Sequence, residues 1–339
     1  MLEPVNTLSN SDKRWRLIAA MISLVVGIII MLVKFWAHNL TRSQAVYSDA
    51  LESIINIFTA SFGLLVIYYS AKPADEDHPY GHGKIEYFSA AFEGGLITLA
   101  AFFIFFEASK AFFKGHTLAN LDLGTWIVAG AGVANLILGW FLLWVGKKFN
   151  SHALVGSGHH VISDFWTSAA VIAGLLLVRF TGLVFIDLVV AVLAGAYLLY
   201  TGLGLVKKSI DELMDKEDTG LLEHLAEIFE RHAHDGIIQL HHTKVIRHGW
   251  YHHIDAHMVV PEFWSVHEAH EKLDAFEHKV IKDYKYTGEM NFHLDPCRRN
   301  YCRVCNLKEC KIRVEAFQER MPVLVEHLRS KVEPKEFRS

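Results

Sequence analysis

Residues 17–33 read LIAAMISLVVGIIIMLV, a run with no charge and a single serine. With its flanks it reaches the roughly 20 apolar residues that a helix needs to cross a hydrocarbon core. Working outward, similar runs recur at Phe88–Phe106, Trp126–Val145, Phe165–Val178 and Val184–Val206. Residues 43–69 are more polar, yet their second half, Ile54–Tyr69, has the composition of a membrane span. Six spans follow. The first has the length of a full span and lacks a small-residue cleavage site, which argues against a secretory signal.

Composition supports a two-part chain. The 339 residues are 52% hydrophobic and 21% charged, which accommodates a membrane domain and a smaller polar one. A formal net charge of −4 gives no reason to expect a nucleic-acid partner. The 21 histidines fall in clusters, and all four cysteines lie between Cys297 and Cys310.

Lysine and arginine placement orients the spans. Lys13, Arg14, Arg16, Lys72, Lys84, Lys147, Lys148, Lys207 and Lys208 fall on one side; Lys34, Arg42, Lys110, Lys114 and Arg179 fall on the other. The bias puts both termini in the cytoplasm, as an even number of spans permits, and a plasma (inner) membrane location is expected. Beyond Lys207 the pattern changes. Gly220–His232 carries apolar residues at helical spacing, Ile237–Ile246 and Tyr251–Val260 read as strands, Val266–Tyr284 is helical, and Met290–Leu294 is a short last strand. The order α-β-β-α-β predicts a small two-layer α+β domain. The expected division is an N-terminal segment at 1–14, a six-helix domain at 15–208, the α+β domain at 209–296, a cysteine knuckle at 297–312 and a tail at 313–339 that ends in a short helix and a mobile charged stretch.

Ionisable groups inside a span are costly, so each is a functional candidate. The second span holds Asp49, Glu52, Ser53, Asn56 and Thr59, which steps of three and four place on one helical face. The fifth opens with His159, His160 and Asp164, of which the last two are four apart and share a face. A carboxylate–amide pair on one helix and an imidazole–carboxylate pair on another supply four ligands to a metal ion. The alternative is a buried hydrogen-bond network that only ties two helices together. Glu93, Asn135 and Asp187 are single polar residues better read as packing. After the second span, Asp75, His78 and His82 sit in a loop bent by Pro and Gly and are positioned to converge on a metal; a solvated acidic loop is the plainer reading.

These motifs together resemble the cation diffusion facilitator family of metal/proton antiporters. The likeness runs from Trp15 to Cys297. It rests on the second-span stripe, on the Asp-x-x-His-x-x-x-His-Gly-Lys pattern of residues 75–84, on His160-x-x-x-Asp164 and on Phe292-His-Leu-Asp-Pro-Cys297. The resemblance implies an α-helical membrane protein with six transmembrane helices plus a C-terminal cytoplasmic ferredoxin-like α+β domain, working as a homodimer. It implies a transport site at Glu52, Asn56, His160 and Asp164, a loop site at Asp75, His78 and His82, and interface metal residues His241, His257, His270, His293 and Asp295. An ion pair between protomers, Lys84 with Asp215, is also implied. Glu52 stands where the family usually has Asp or His, and Asn56 where it has Asp. Read without the family, His257 lies in an alternating strand, while His293 and Asp295 are two apart and share a strand face. His248, His252, His253 and His267 are expected to be ordinary surface residues. His267-Glu268 begins like a zinc-peptidase helix, but position 271 is Glu, so that reading fails.

Cys297-x4-Cys302-x2-Cys305-x4-Cys310 places four thiols within fourteen residues. In a reducing compartment this favours a structural Zn²⁺ knuckle over disulfides; four unligated thiols are the alternative. The expected function is proton-coupled efflux of a divalent transition metal by alternating access. Zn²⁺ ranks first and Fe²⁺ second as cargo, with protons and membrane lipid as the other partners. A membrane-anchored metal sensor and an intramembrane metal-dependent hydrolase are the rival classes. The hydrolase would need a further general base and a substrate cleft, and the sequence offers neither.

Overall fold

A computed structural model describes residues 10–339 except 71, 73, 115–117, 150–151, 234–235, 250, 333–336 and 338–339. The chain forms two compact units, residues 1–71 with 85–210, and residues 72–84 with 211–339.

The first unit is helical: α1 (Asn10–Thr41), α2 (Gln44–Ser70), α3 (Ile85–Lys114), α4 (Leu121–Lys148), α5 (His152–Thr181) and α6 (Phe185–Leu213). By length and composition, all but α2 are apolar enough to cross a membrane. Helix α2 has spanning length too, 27 residues, and carries Asp49, Glu52 and Asn56 within it. Large apolar side chains such as Leu32, Phe102, Trp140, Phe180 and Leu193 are more than half exposed. A face of that kind is stable against lipid and not against water. Without a hydrophobic drive between helices in lipid, small residues set the close approaches. A Cβ on Gly139 of α4 would lie 3.0 Å from the Gly158 carbonyl oxygen of α5, and one on Gly158 would lie 2.9 Å from the Leu143 nitrogen.

The helices run on past their apolar cores. At α1, Lys34, which marks the end of the apolar run, lies within the helix seven residues before Thr41 and is 1% exposed. Its Nζ donates to Asp49 Oδ1 at 2.8 Å. The ion pair is what allows a lysine to sit there, since an unpaired buried ammonium would be far too costly. Asp187 holds the start of α2, as its carboxylate accepts from Ser43 Oγ at 2.5 Å and from the backbone N–H of Gln44 at 2.7 Å. An anion at a helix N-terminus satisfies orphan donors and complements the dipole, which is the packing role expected for this residue.

The second unit contains α7 (Thr219–His232), β1 (Gln239–His248), β2 (Tyr251–Val260), α8 (Val266–Asp283), β3 (Thr287–Pro296) and α9 (Val325–Arg329). The sheet order is β1-β2-β3, antiparallel then parallel. Asp218 caps α7 by accepting from the Leu221 N–H, and Ser265 caps α8 by accepting from that of Glu268. The stripe Leu221, Leu222, Leu225, Ile228 and Phe229 buries against Ile254 and Met258 of β2 and Phe276 and Val280 of α8. The helices thus cover one face of the sheet. On the other face β1 bulges between His241 and Lys244, with His242 at φ 49°.

Three expectations are corrected by the fold. Strand β3 is ten residues long rather than five, because it pairs with the whole of β2, from Tyr251 opposite Thr287 to Val260 opposite Pro296. His252 and His253 are buried rather than superficial. His252 Nδ1 lies 2.7 Å from the Tyr284 hydroxyl, and His253 Nδ1 lies 2.9 Å from Glu289 Oε1. Phe337, in the tail expected to be mobile, is 1% exposed and stacks on Tyr301 at 4.4 Å.

Candidate metal centres

In the helical unit, α2 and α5 meet through a polar chain. His160 Nε2 lies 2.7 Å from Asn56 Oδ1. The Asn56 amide nitrogen donates in turn to Asp164 Oδ2. The second oxygen, Asp164 Oδ1, is buried without a hydrogen-bond partner. A buried, unsatisfied carboxylate oxygen beside an imidazole nitrogen is an arrangement that a cation completes. The three residues line a cavity of about 290 Å³, together with Ser53, Glu93 and Asn135. Glu93 and Asn135, expected to be packing residues, therefore face the same space as the ligands.

Glu52 is placed differently. It lines a second cavity of about 350 Å³ with Asp49, Ser163 and Thr167. Its electrostatic neighbours include Asp164, Asp49, Lys34 and His160. Among the described residues, Glu52, His160 and Asp164 do not bring ligand atoms within 4.8 Å of one another. The four expected ligands thus divide between two cavities, three on one side and Glu52 on the other. The side chain of Thr59 lies outside the described residues, and His159 is exposed.

Sequence reasoning misses the support beside this site. Asp49 accepts from Ser168 Oγ at 2.9 and 3.1 Å as well as from Lys34. One carboxylate thereby joins α1, α2 and α5, one turn from Glu52 on α2 and from Asp164 on α5. Asp49 itself is visible in the polar stripe. Lys34 is not, because a lysine at the end of an apolar run reads as the end of a span.

The second unit holds two further clusters. In the loop, Asp75 accepts from the His78 backbone N–H at 2.7 Å, and its carboxylate lies 3.2 Å from His78 Nδ1 and 3.4 Å from His82 Nε2. The His78 backbone N–H is the main reason that the Asp75 carboxyl is held below its ordinary range. His82 Nδ1 is buried without a partner. Gly83 has no room for a side chain, since a Cβ would stand 2.0 Å from the His248 carbonyl oxygen. That contact holds the loop's end against β1. One residue on, Lys84 Nζ lies 3.0 Å from Asp215 Oδ1 of the same chain, whereas the resemblance implies a pair between protomers.

On the open face of the sheet, Asp295 Oδ2 lies 2.9 Å from His257 Nδ1 and 3.6 Å from His241 Nε2. Burial pushes the His241 imidazole down to about 4, so it is neutral and offers a lone pair at neutral pH. Its Nδ1 is buried and unpartnered. His293 adjoins the group, with its ring 4.6 Å from that of His257. His270 does not join it: within one chain it is exposed on α8. The donor sets of both clusters, two imidazoles and a carboxylate each, fit a divalent transition metal.

All four cysteines are free: Cys302 and Cys305 are buried, Cys297 and Cys310 half-buried. No three of their sulfurs lie within 4.8 Å of one another.

A bundle of membrane-length helices with candidate metal ligands at the meeting of two of them, in a chain that also holds a small histidine-rich domain, has the form of a metal-ion transporter. Comparison with known proteins agrees: residues 20–214 match the cation efflux transmembrane domain, and residues 219–297 match the cation efflux protein cytoplasmic domain. The chain belongs to the cation efflux, or cation diffusion facilitator, family, whose members are divalent metal transporters. It is 31% identical to an uncharacterized transporter of Synechocystis over 82% of this chain and 89% of that one. It is 27% identical to the cation-efflux pumps FieF of Yersinia pestis and Yersinia pseudotuberculosis, over 84% of this chain and 94% of each pump.

Proposed function

We propose that the protein is a homodimeric metal/proton antiporter of the plasma membrane, with both termini cytoplasmic, that exports Zn²⁺ and, less readily, Fe²⁺. The observation that carries this reading is the Asn56–His160–Asp164 chain, with its buried unpartnered carboxylate oxygen at a polar cavity inside an apolar bundle. Two cavities flank the ligands, one reaching Asn56, His160 and Asp164 and the other reaching Glu52. Alternating access follows if the ion is loaded through the first, held by all four residues as α2 and α5 shift, and released through the second. Protons compete for His160 and the carboxylates, and two carboxylates neutralise the ion's charge while it is out of water. The FieF pumps, named for cation efflux, make export the direction of choice. If Zn²⁺ added to vesicles carrying the protein moves protons the opposite way, as read by an enclosed pH dye, exchange is supported. Metal entry with no proton movement would refute coupling.

Metal choice is expected to depend on Asn56. A neutral amide oxygen replaces an anionic ligand there, which weakens a site for Zn²⁺ relative to one with three carboxylates and leaves room for Fe²⁺ or Co²⁺. Asn56→Asp should tighten Zn²⁺ binding and move the selectivity order toward it in competition assays with Fe²⁺, Co²⁺ and Mn²⁺. An unchanged order would make Asn56 a bracing residue for Asp164 and no ligand.

The loop and sheet clusters are proposed to hold resident ions, those on the sheet lying between two copies of the chain and sensing cytoplasmic metal. His257→Ala or Asp295→Ala is then expected to raise the metal concentration for half-maximal transport on the order of tenfold, with a smaller effect on the maximal rate. Wild-type metal dependence in either variant would show that the cluster is no sensor.

A further inference from the structure

The segment beyond residue 297 lies outside both family domains, and the transport reading gives it no task. It packs on the open face of the sheet. Tyr301 is 1% exposed and donates its hydroxyl to Gln239 Oε1 at 2.6 Å, while Ile238, Val259, Tyr301, Cys305 and Phe337 form a small core of their own. Gln239 pairs with Val259 in the strand register, and His241 pairs with His257 one step further along the same face. Past the cysteines the chain returns to that place, where Ser330 accepts from the His242 N–H at the β1 bulge, at 2.9 Å. The segment is thus a strap held beside the histidine cluster, and its later part is tied to α7 as well, where Leu328 enters the main core and the Val323 N–H donates to Glu230 Oε2 at 2.8 Å.

What closes the strap is built from backbone polarity. Arg313 reaches back and donates to three carbonyls of the cysteine loops, those of Cys302 at 2.8 Å, Cys305 at 2.9 Å and Leu307 at 2.7 Å. The Val314 N–H donates to Cys302 Sγ at 3.5 Å. Backbone N–H groups of Glu262 and Leu307 are directed at the sulfurs of Cys297 and Cys305. Three of the four sulfurs therefore each have a peptide N–H directed at them, the kind of donor that supports a metal-bound sulfur. Cys305 also has the other three sulfurs within electrostatic range.

We propose that Cys297, Cys302, Cys305 and Cys310 bind one Zn²⁺ as a tetrathiolate, a resident ion separate from the cargo, which locks the strap onto the sheet beside His241 and His257. Zinc is the ion because its soft-ligand tetrahedral sites use this donor set, and the x4-x2-x4 spacing gives two short loops around a central pair. A Zn–S bond of about 2.3 Å requires sulfurs about 3.8 Å apart, so binding draws the thiols together from their wider metal-free spacing. The half-buried Cys297 and Cys310 have the room to move. The thiol protons leave to solvent as the metal binds.

The test uses the full-length protein in detergent, reduced and stripped of metal, titrated with Co²⁺. Wild type should develop a sulfur-to-cobalt charge-transfer band that about one equivalent of Zn²⁺ removes. Cys302→Ser/Cys305→Ser should lack the band, whereas His257→Ala and His160→Ala should keep it, which separates this site from the sensing and transport sites. A missing band in wild type, or one surviving in the double cysteine variant, would overturn the proposal. So would protein purified with iron and acid-labile sulfide. If the double variant fails to fold, alkylation of wild type with and without Zn²⁺ decides instead: all four cysteines should be protected by the metal, and labelling unaffected by it would refute the site.

Discussion

His160→Ala and Asp164→Ala are each expected to reduce metal flux to the level of empty vesicles, a loss on the order of 100-fold or more. His160 provides the one nitrogen of the proposed shell, and Asp164 a carboxylate oxygen buried without a hydrogen-bond partner. The close approach of α5 to α4 is made elsewhere, at Gly139 and Gly158, and does not depend on either side chain. Both variants should therefore insert and dimerise as wild type does, by membrane fractionation and by light scattering of the purified protein. Flux near the wild-type rate in either variant would remove these residues from the transport path.

The other large effect concerns Lys34 and Asp49, both about 1% exposed and joined at 2.8 Å. Breaking a buried pair by removing one partner leaves an uncompensated charge and costs about 3–5 kcal/mol. Lys34→Met and Asp49→Asn alone should each lower the unfolding temperature in detergent, on the order of 10 °C for a unit of this size. The two together should recover most of the loss, because no lone charge remains and the amide oxygen introduced by Asp49→Asn would still accept from Ser168. A double variant no more stable than the singles would show that the charges do not act as a pair. Transport by the double variant is expected to stay well below wild type even so, since Asp49 braces α2 against α5 where Glu52 and Asp164 must face one ion.

The spans and the small domain are legible in the sequence because apolar runs and alternation are local signals. Tyr251–Val260 can be read to the residue from the alternation of Ile254, Ala256 and Met258, which face the helices. Hydropathy marks where charge begins, however, and not where a helix ends. It places Lys34 outside the membrane, although the pairing with Asp49 carries α1 on to Thr41. The length of β3 depends on its partner strand, so its own residues reveal only the apolar centre. Adjacent histidines read as surface when both are buried, His252 against Tyr284 and His253 against Glu289, since the elements covering them come from elsewhere in the chain. At the proposed transport site, spacing places Glu52 and Asn56 on one face of α2, and His160 and Asp164 on one face of α5. Their division between two cavities cannot be read that way, because it depends on how α2 turns against α5. For the cysteines, the spacing is local and visible. The clamp that Arg313 makes on their carbonyls is not.

Transport of metal against a set pH gradient tests the central claim most directly. Purified protein is placed in liposomes with an acidic interior, and entry of radiolabelled Zn²⁺ is followed with and without an ionophore that collapses the gradient. The account predicts uptake above empty liposomes that falls sharply when the gradient is removed and is absent in Asp164→Ala. Zinc entry independent of the proton gradient, or no entry by a correctly inserted wild-type protein, would contradict it.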